Sequence, residues 1–524
     1  MSTTGFLDNV AAEWPDYLRD ESRKEGCADS ISFPQTGDQL RAQVEETRRR
    51  GMTVTVQGAR TGISAGAVPE GGHVLNLSRL ARITGLRQRK GAFLVTVEPG
   101  VLLTDLGEAV RRASFVTEEW SAESLAALES LRQAGPHFFP PDPTETTASI
   151  GGMVACNASG AQTFRYGATR RHVHRLRLVL ADGDSLALER GRERAAGRRF
   201  SAVTERGRTL SGELPAYRMP AVKNAAGYFV EDDMDLLDLF VGSEGTLGVF
   251  EEIELQLIPA PACIWGVMAF LPSVEAAVGF VVAVRSGAAR PGAIEYFDPH
   301  ALALLESERE SNPAFRELPA PPGGSCAAVY VEYHADGEGA AEEAVLAMSE
   351  ALVEHGGSED DTWLASDARE LARMKDFRHA VPEAVNLRID RRRKTVPGLT
   401  KLGTDLAVPD RELAAVMDMY RHDLDEQGLE SVVFGHVGNN HVHVNILPRD
   451  LAEYERGKQL YLEWARRVVA VGGTVSAEHG IGKLKTAMLR IQYGEKGIAE
   501  MRAVKRCFDP EWRLNPGSLF EAER

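Results

Sequence analysis

The chain changes texture once, at Pro259-Ala260-Pro261, and that break constrains what it can fold into more than any other feature. Before it, glycine-rich loops separate short β-type runs such as Thr53–Gln57, Phe93–Val97, Arg175–Ala181 and Val249–Leu257. Apolar and β-branched runs between turn formers read as strands. After it, apolar runs at Ile264–Leu271, Ala327–His334 and Leu402–Val408 alternate with helical patterns at Val274–Arg285, Ala340–His355, Arg411–Gln427 and Leu451–Val471. That alternation predicts an α+β unit in which helices cover a sheet. At 524 residues, the chain exceeds the roughly 250–300 residues that one hydrophobic core supports, so at least two domains are expected.

Composition narrows the functional classes. Lys+Arg 60 against Asp+Glu 76 leaves a net charge of −16, which argues against a nucleic-acid partner, because that binding needs a basic footprint. Cys27, Cys156, Cys263, Cys326 and Cys507 are scattered, which excludes CxxC metal knuckles and a single-chain iron–sulfur run and fits a reduced cytosolic interior. The first twenty residues mix acids and polar groups where a secretory signal needs a basic start and an apolar run. No stretch approaches the roughly 20 apolar residues of a spanning helix. The expectation is a cytoplasmic protein, with any membrane contact peripheral.

Two stretches carry chemistry in the second half: FGHVGNNHVHVNILP at Phe434–Pro448 and VSAEHGIGK at Val475–Lys483. They offer four imidazoles and a carboxylate, a set suited to a divalent metal beside a proton acceptor. In an extended strand His441, His443 and Asn445 would share one face while Val442 and Val444 pack on the other.

In the first half, three segments read as a cradle for an anionic, flat ligand. The loop after Thr53–Gln57 carries Gly58, Gly62 and Gly66, whose bare N–H groups could wrap a pyrophosphate. It is neither GxGxxG nor a Walker loop, and a further strand follows it rather than a helix. A plain glycine-rich turn reads the same residues. Phe138–Arg170 is dominated over Ala148–Ala161 by small residues, with Gly151, Gly152 and Gly160 permitting close backbone approach and Asn157 and Ser159 offering hydrogen bonds. Lys223–Pro259 adds the small-residue loop Gly242–Gly248 ahead of a strand.

These ordered motifs resemble the FAD-dependent 2-hydroxy acid dehydrogenases of the vanillyl-alcohol-oxidase-like flavoproteins, the group that holds D-lactate and D-2-hydroxyglutarate dehydrogenases and the glycolate oxidase flavin subunit. The similarity runs from about Ile31 to Phe520. It implies an α+β architecture: an N-terminal helical segment at 1–30, a two-part PCMH-type FAD-binding domain at 31–259, and a cap domain with a helix-covered, largely antiparallel sheet at 260–505. A segment at 506–524 would return to the FAD domain. FAD would lie on Gly58, Ala59, Arg60, Thr61 and Gly62, on Pro141, Asp142 and Thr144, on Ser149, Gly151, Gly152, Asn157 and Ser159, and on Glu244, Gly245, Val249 and Asn515. Some relatives attach FAD through a histidine in the first loop; Arg60 and Thr61 stand here, so non-covalent FAD is expected.

In metal-dependent members the pattern GHxGDGNxHxN precedes a later EH. The resemblance makes His436, His443 and Glu478 the ligands of zinc, manganese or iron, His479 the catalytic base, and Asn445 and Arg378 substrate contacts. Asn439-Asn440-His441 replaces Asp-Gly-Asn, which leaves His441 either an addition to the site or a supporting group. An arginine fork suits a substrate carboxylate. Lys401 is a second candidate anion anchor, but its offset from Asp405 differs from that of the dicarboxylate-binding relatives, which favours D-lactate over D-2-hydroxyglutarate. Arg391-Arg392-Arg393-Lys394 reads as a solvated loop. Electrons would leave for a separate acceptor (a quinone, an electron-transfer flavoprotein or an iron–sulfur subunit), and a homodimer is compatible with the sequence. The competing readings are a flavin transferase like the alkyl-glycerone-phosphate synthases and a silent flavin subunit.

Overall fold

Successive side chains of a strand point to opposite faces, so strands that are apolar on both faces must be covered on both. The computed structural model describes residues 5–521 and shows this arrangement in the second half. Its seven strands run in the order Trp363–Ala365, Cys263–Leu271, Ala327–Ala335, Ala293–Phe297, Ser431–Gly435, His443–Ile446 and Leu402–Gly403. All neighbours are antiparallel. Met268, Phe270, Ala328 and Tyr330 pack on one face with the helices Pro299–Ser311 and Ala368–Arg393. Val267, Ala269, Val329 and Val331 pack on the other with Val274–Ser286 and Glu338–Glu354.

The helix Ala368–Arg393 is started by Asp367, whose carboxylate accepts the N–H groups of Arg369 and Glu370 at 2.8 and 2.9 Å. Caps of this kind contribute about 1 kcal/mol. Its buried stripe of Met374, Phe377, Val381 and Val385 has the spacing of one helical face, which fixes the rotation of the helix and the direction of Arg378. Arg391-Arg392-Arg393 continues this helix instead of forming a solvated loop. Glu308 explains the change by gripping the Arg391 guanidinium at 2.5 and 2.7 Å.

The first half is in two parts. A parallel sheet, Ser30–Ser32, His73–Asn76 and Val54–Gln57, stands beside an antiparallel one of Ile83–Arg89, Ala92–Val97, Val249–Pro259, Val173–Val179 and Ser185–Glu189, with His137–Phe138 on its long strand. The small-residue segment after Ser149 forms a short helix, Ile150–Cys156, capped by Ser149.

Three further expectations change. Residues 5–29 hold only the short helical turns Val10–Glu13 and Pro15–Leu18, because the residue before a proline is pushed out of the helical region and Trp14 sits at φ −134°. Of Leu402–Val408 only Leu402–Gly403 is regular strand; Thr404 N still donates to the Val444 carbonyl at 2.9 Å and Ala407 makes isolated bridges to His441 and Thr474, but the pairing is interrupted at Asp405, whose carboxylate accepts donors from the loop after Val475. The helix Thr486–Phe508, kinked at Gly494, was not anticipated. It ends with Phe508 stacked on Phe200 at 5.5 Å, and the following segment then bonds to Val54 of the parallel sheet, the Arg513 carbonyl accepting Val54 N at 2.7 Å and Asn515 N donating to the Val54 carbonyl at 2.8 Å. Residues 1–4 and 522–524 of the expected terminal segments lie outside the described residues. No helix among those described is long and apolar enough to cross a membrane.

Candidate active site

The turn between Ser431–Gly435 and His443–Ile446 carries the histidines. It needs a residue in the left-handed region, and Asn440 takes it at φ 52°; asparagine tolerates that conformation better than most side chains. Gly435, at φ 127°, lets His443 approach: a Cβ there would lie 2.7 Å from the imidazole. His436, His441, His443 and Glu478 consequently converge, each offering a donor atom within 4.8 Å of the others.

Each ring is oriented from outside the group. His436 Nδ1 donates to Glu295 Oε1 at 2.7 Å and turns Nε2 to Glu478 Oε1 at 3.3 Å. His443 Nδ1 donates to the Thr404 carbonyl at 3.1 Å, leaving Nε2 3.9 Å from Glu478 Oε2. His441 is fully buried; its Nε2 lies 3.1 Å from Asp405 Oδ1 without the alignment of a hydrogen bond, and neither ring nitrogen has a hydrogen-bond partner. Buried polar atoms in this position are normally satisfied, so the donor set fits a divalent cation. For the protein groups alone, burial would strip the His436 proton, but Glu295 and Glu478 outweigh it and hold that imidazole at about 9. Burial and the neighbouring imidazoles push His443 well down.

Glu478 arrives on the loop Val475–Lys483, which Asp405 organises. This fully buried carboxylate accepts Glu478 N and His479 N at 3.1 and 3.0 Å, Ser476 Oγ at 2.6 Å and Lys485 Nζ at 2.8 Å. Glu478 Oε1 also takes the ammonium of Lys223 and Ser159 Oγ at 3.3 Å. Lys223 is buried and bonds the Gly160 carbonyl at 3.2 Å. His479 lies face to face with His443 at 5.4 Å between ring centroids, and burial pushes it down to about 4.

Glu478 and His479 also close one end of a cavity of about 340 Å³ in the first half. Residues 58–62, Thr144, Ser149, Gly151, Gly152, Ser159, Glu244, Gly245 and Asn515 line it, with Gly66, Cys156 and Phe250. Cβ atoms on Gly62 or Gly66 would meet nothing within 4 Å, so both glycines border open space, and the walls of backbone and small residues fit a flat, anionic cofactor.

Four residues expected on the cofactor lie away from this wall. Val249 is strand core and Pro141 is buried without facing the cavity. Asn157, at the end of a helix, bonds Arg170 N at 2.9 Å. Asp142 accepts Gln162 N at 3.0 Å and feels the charges of His436 and Arg378. Two lining residues are already engaged: Glu244 accepts Ile481 N and Gly482 N at 2.7 and 2.6 Å, and Asn515 links Val56 N to the Glu244 carbonyl, both at 2.7 Å. They latch the two halves together.

Arg378 reaches the cluster. Its Nη2 is 3.5 Å from Glu295 Oε2, its guanidinium lies 5.0 Å from the Tyr330 ring centroid, and its Nε has no partner. Asn445 points its amide back to the His443 carbonyl at 3.3 Å. Lys401 has no hydrogen bond or ion pair tying it to the cluster; burial pushes its ammonium down to about 8. Glu295, Asp405 and Lys223 were not singled out from sequence as site residues. His441 was left open there, and its period-two spacing from His443 was the signal that favoured a place in the site.

Comparison with known proteins agrees with this geometry. Residues 28–126 and 120–189 match an FAD binding domain, and residues 262–519 match the C-terminal domain of FAD linked oxidases. The chain belongs to the FAD-linked oxidases. Among related members, a probable mitochondrial D-lactate dehydrogenase of Danio rerio is 29% identical over 94% of this chain and 84% of its own length. The glycolate oxidase subunit GlcD of Bacillus subtilis is 26% identical over 94% and 89%, and a D-2-hydroxyglutarate dehydrogenase of Xanthomonas citri is 28% identical over 94% and 89%. The fold is shared with 4-ethylphenol oxidase from Gulosibacter chungangensis (TM-score 0.65, 16% identity, 98% of this chain and 94% of that one). It is also shared with an alkyldihydroxyacetonephosphate synthase (TM-score 0.62, 13% identity, 98% and 82%).

Proposed function

We propose that this FAD-linked oxidase dehydrogenates a small D-2-hydroxy acid, D-lactate before the others, to the 2-oxo acid. The observation that carries the reading is the adjacency of Glu478 and His479, which border both the cavity and the histidine cluster. When bound, FAD supplies the two-electron acceptor, and a divalent ion held by His436, His443 and Glu478 supplies a Lewis acid for the hydroxyl.

The remaining work belongs to the chain's own groups. Arg378, with its partly unsatisfied guanidinium, receives the substrate carboxylate. His479 takes the hydroxyl proton while Asp405, 3.5 Å from its Nδ1, steadies the ring. Lys223 and Ser159 hold the Glu478 carboxylate. One available guanidinium suits a monocarboxylate; Lys401, without a tie to the cluster, gives no second anchor. FAD is non-covalent, because Arg60 and Thr61 occupy the first loop and Arg60 lies over the Tyr17 ring at 4.2 Å. Electrons pass on to a separate acceptor, a quinone, an electron-transfer flavoprotein or an iron–sulfur subunit.

The test is anaerobic absorbance of the flavin-loaded protein during additions of D-lactate, L-lactate, glycolate and D-2-hydroxyglutarate, with and without chelator. Bleaching by D-lactate that is lost with chelator is expected. A flavin that none of them bleaches overturns the proposal.

A further inference from the structure

The cluster holds one imidazole more than the ligand set the function requires, and that imidazole also has an outer carboxylate beside it. His436 is held through Nδ1 by Glu295, and His443 through Nδ1 by the Thr404 carbonyl. His441 lies between the same kinds of group with its nitrogens exchanged, although without a hydrogen bond: Nε2 is 3.1 Å from Asp405 Oδ1, and Nδ1 is 3.9 Å from Glu478 Oε2. Outer carboxylates and carbonyls of this kind set the tautomer and aim of metal-binding imidazoles. The neighbours of His441 do not otherwise use it, since it is wholly buried and neither nitrogen forms a hydrogen bond.

We propose that His441 is a fourth metal ligand, so that the ion is held by three imidazoles and one carboxylate. The location rests on the metal-assisted site of the proposed function; the ligand count rests on no substrate. Glu478 is arranged for this role. Its Oε1 accepts from Lys223 and Ser159 and lies 3.3 Å from His436 Nε2, while Oε2 faces His441 and His443. Donors about 2.1 Å from a shared ion lie at most roughly 4.2 Å apart. The donors, spread over up to 4.8 Å, draw together around the ion when it binds.

The count has a chemical consequence. Zinc in tetrahedral geometry is saturated by four protein ligands, whereas an octahedral ion such as Mn²⁺ keeps two positions open, the number a chelating hydroxyl and carboxylate of a 2-hydroxy acid need. The extra imidazole therefore favours a six-coordinate ion as the working metal.

The experiment uses the flavin-loaded protein, stripped with chelator and titrated with Mn²⁺ and Co²⁺, bound metal being measured by elemental analysis. One ion per chain is expected. His441→Asn should weaken Mn²⁺ binding at least tenfold with FAD content unchanged, and X-ray absorption of the Co²⁺-loaded wild type should count three imidazoles around the ion. Equal affinity in H441N, two imidazoles in the wild type, or no bound ion overturns the proposal. The absorption count needs no variant, so it decides even where H441N misfolds. Failure of every acid to bleach the flavin would remove the proposed reaction and leave these readouts standing.

Discussion

The cavity wall of the first half is backbone and small residues, whereas the cluster of the second half is long polar side chains, each aimed by another residue. Gly58, Gly62, Gly151 and Gly152 contribute surface by having no side chain. His436, His441, His443 and Glu478 contribute donor atoms whose direction depends on Glu295, Asp405, Thr404 and Lys223. A wall of the first kind should be sensitive to added volume and indifferent to charge. A cluster of the second kind should be sensitive to loss of a single atom, because the remaining buried groups lose a partner.

The largest expected effect tests the separation of the two regions. His479→Ala and His443→Ala should each lower turnover by about 10²–10⁴-fold, the range of a positioned acid–base group, while flavin absorbance shows full FAD occupancy and, for His443→Ala, elemental analysis shows metal lost. FAD loss in either variant would break the comparison. Lys223→Met comes next. Lys223 belongs by sequence to the first half, yet it holds Glu478, so metal affinity should fall about 10–100-fold, as it does when supporting groups are removed, with FAD retained. The smallest effect falls on the wall. In Gly151→Ala the new Cβ would lie 2.6 Å from Pro99 Cβ and 2.9 Å from its carbonyl oxygen. Overpacking of this sort costs about 1–3 kcal/mol. FAD per chain and thermal stability should therefore drop while metal content stays at the wild-type level.

Local signals were legible wherever one stretch of chain contains its own explanation. The alternation Val267, Ala269, Leu271 against Met268 and Phe270 set a strand covered on both faces. The spacing His441-x-His443 put two imidazoles side by side, and their rings lie 4.4 Å apart, although His441 precedes the strand His443–Ile446 and makes only an isolated bridge to Ala407. The Ser149 cap opens a helix whose glycines carry little helical signal of their own. Leu402–Val408 looked like one strand, but its regular pairing breaks near Asp405, whose partners are donors at residues 476–485, far along the chain.

The sequence by itself determined the change of texture at residue 260, the small-residue lining and which side chains the cluster has to offer, because periodicity, volume and ligand type are properties of neighbouring residues. Tertiary structure alone decided that Glu295, Asp405 and Lys223 aim those donors, that Glu244 and Asn515 latch the halves, and that Arg378 rather than Lys401 reaches the cluster. Those outcomes depend on which buried charges and hydrogen-bonding groups find one another when distant segments pack, and a buried polar group must find a partner wherever the fold provides one.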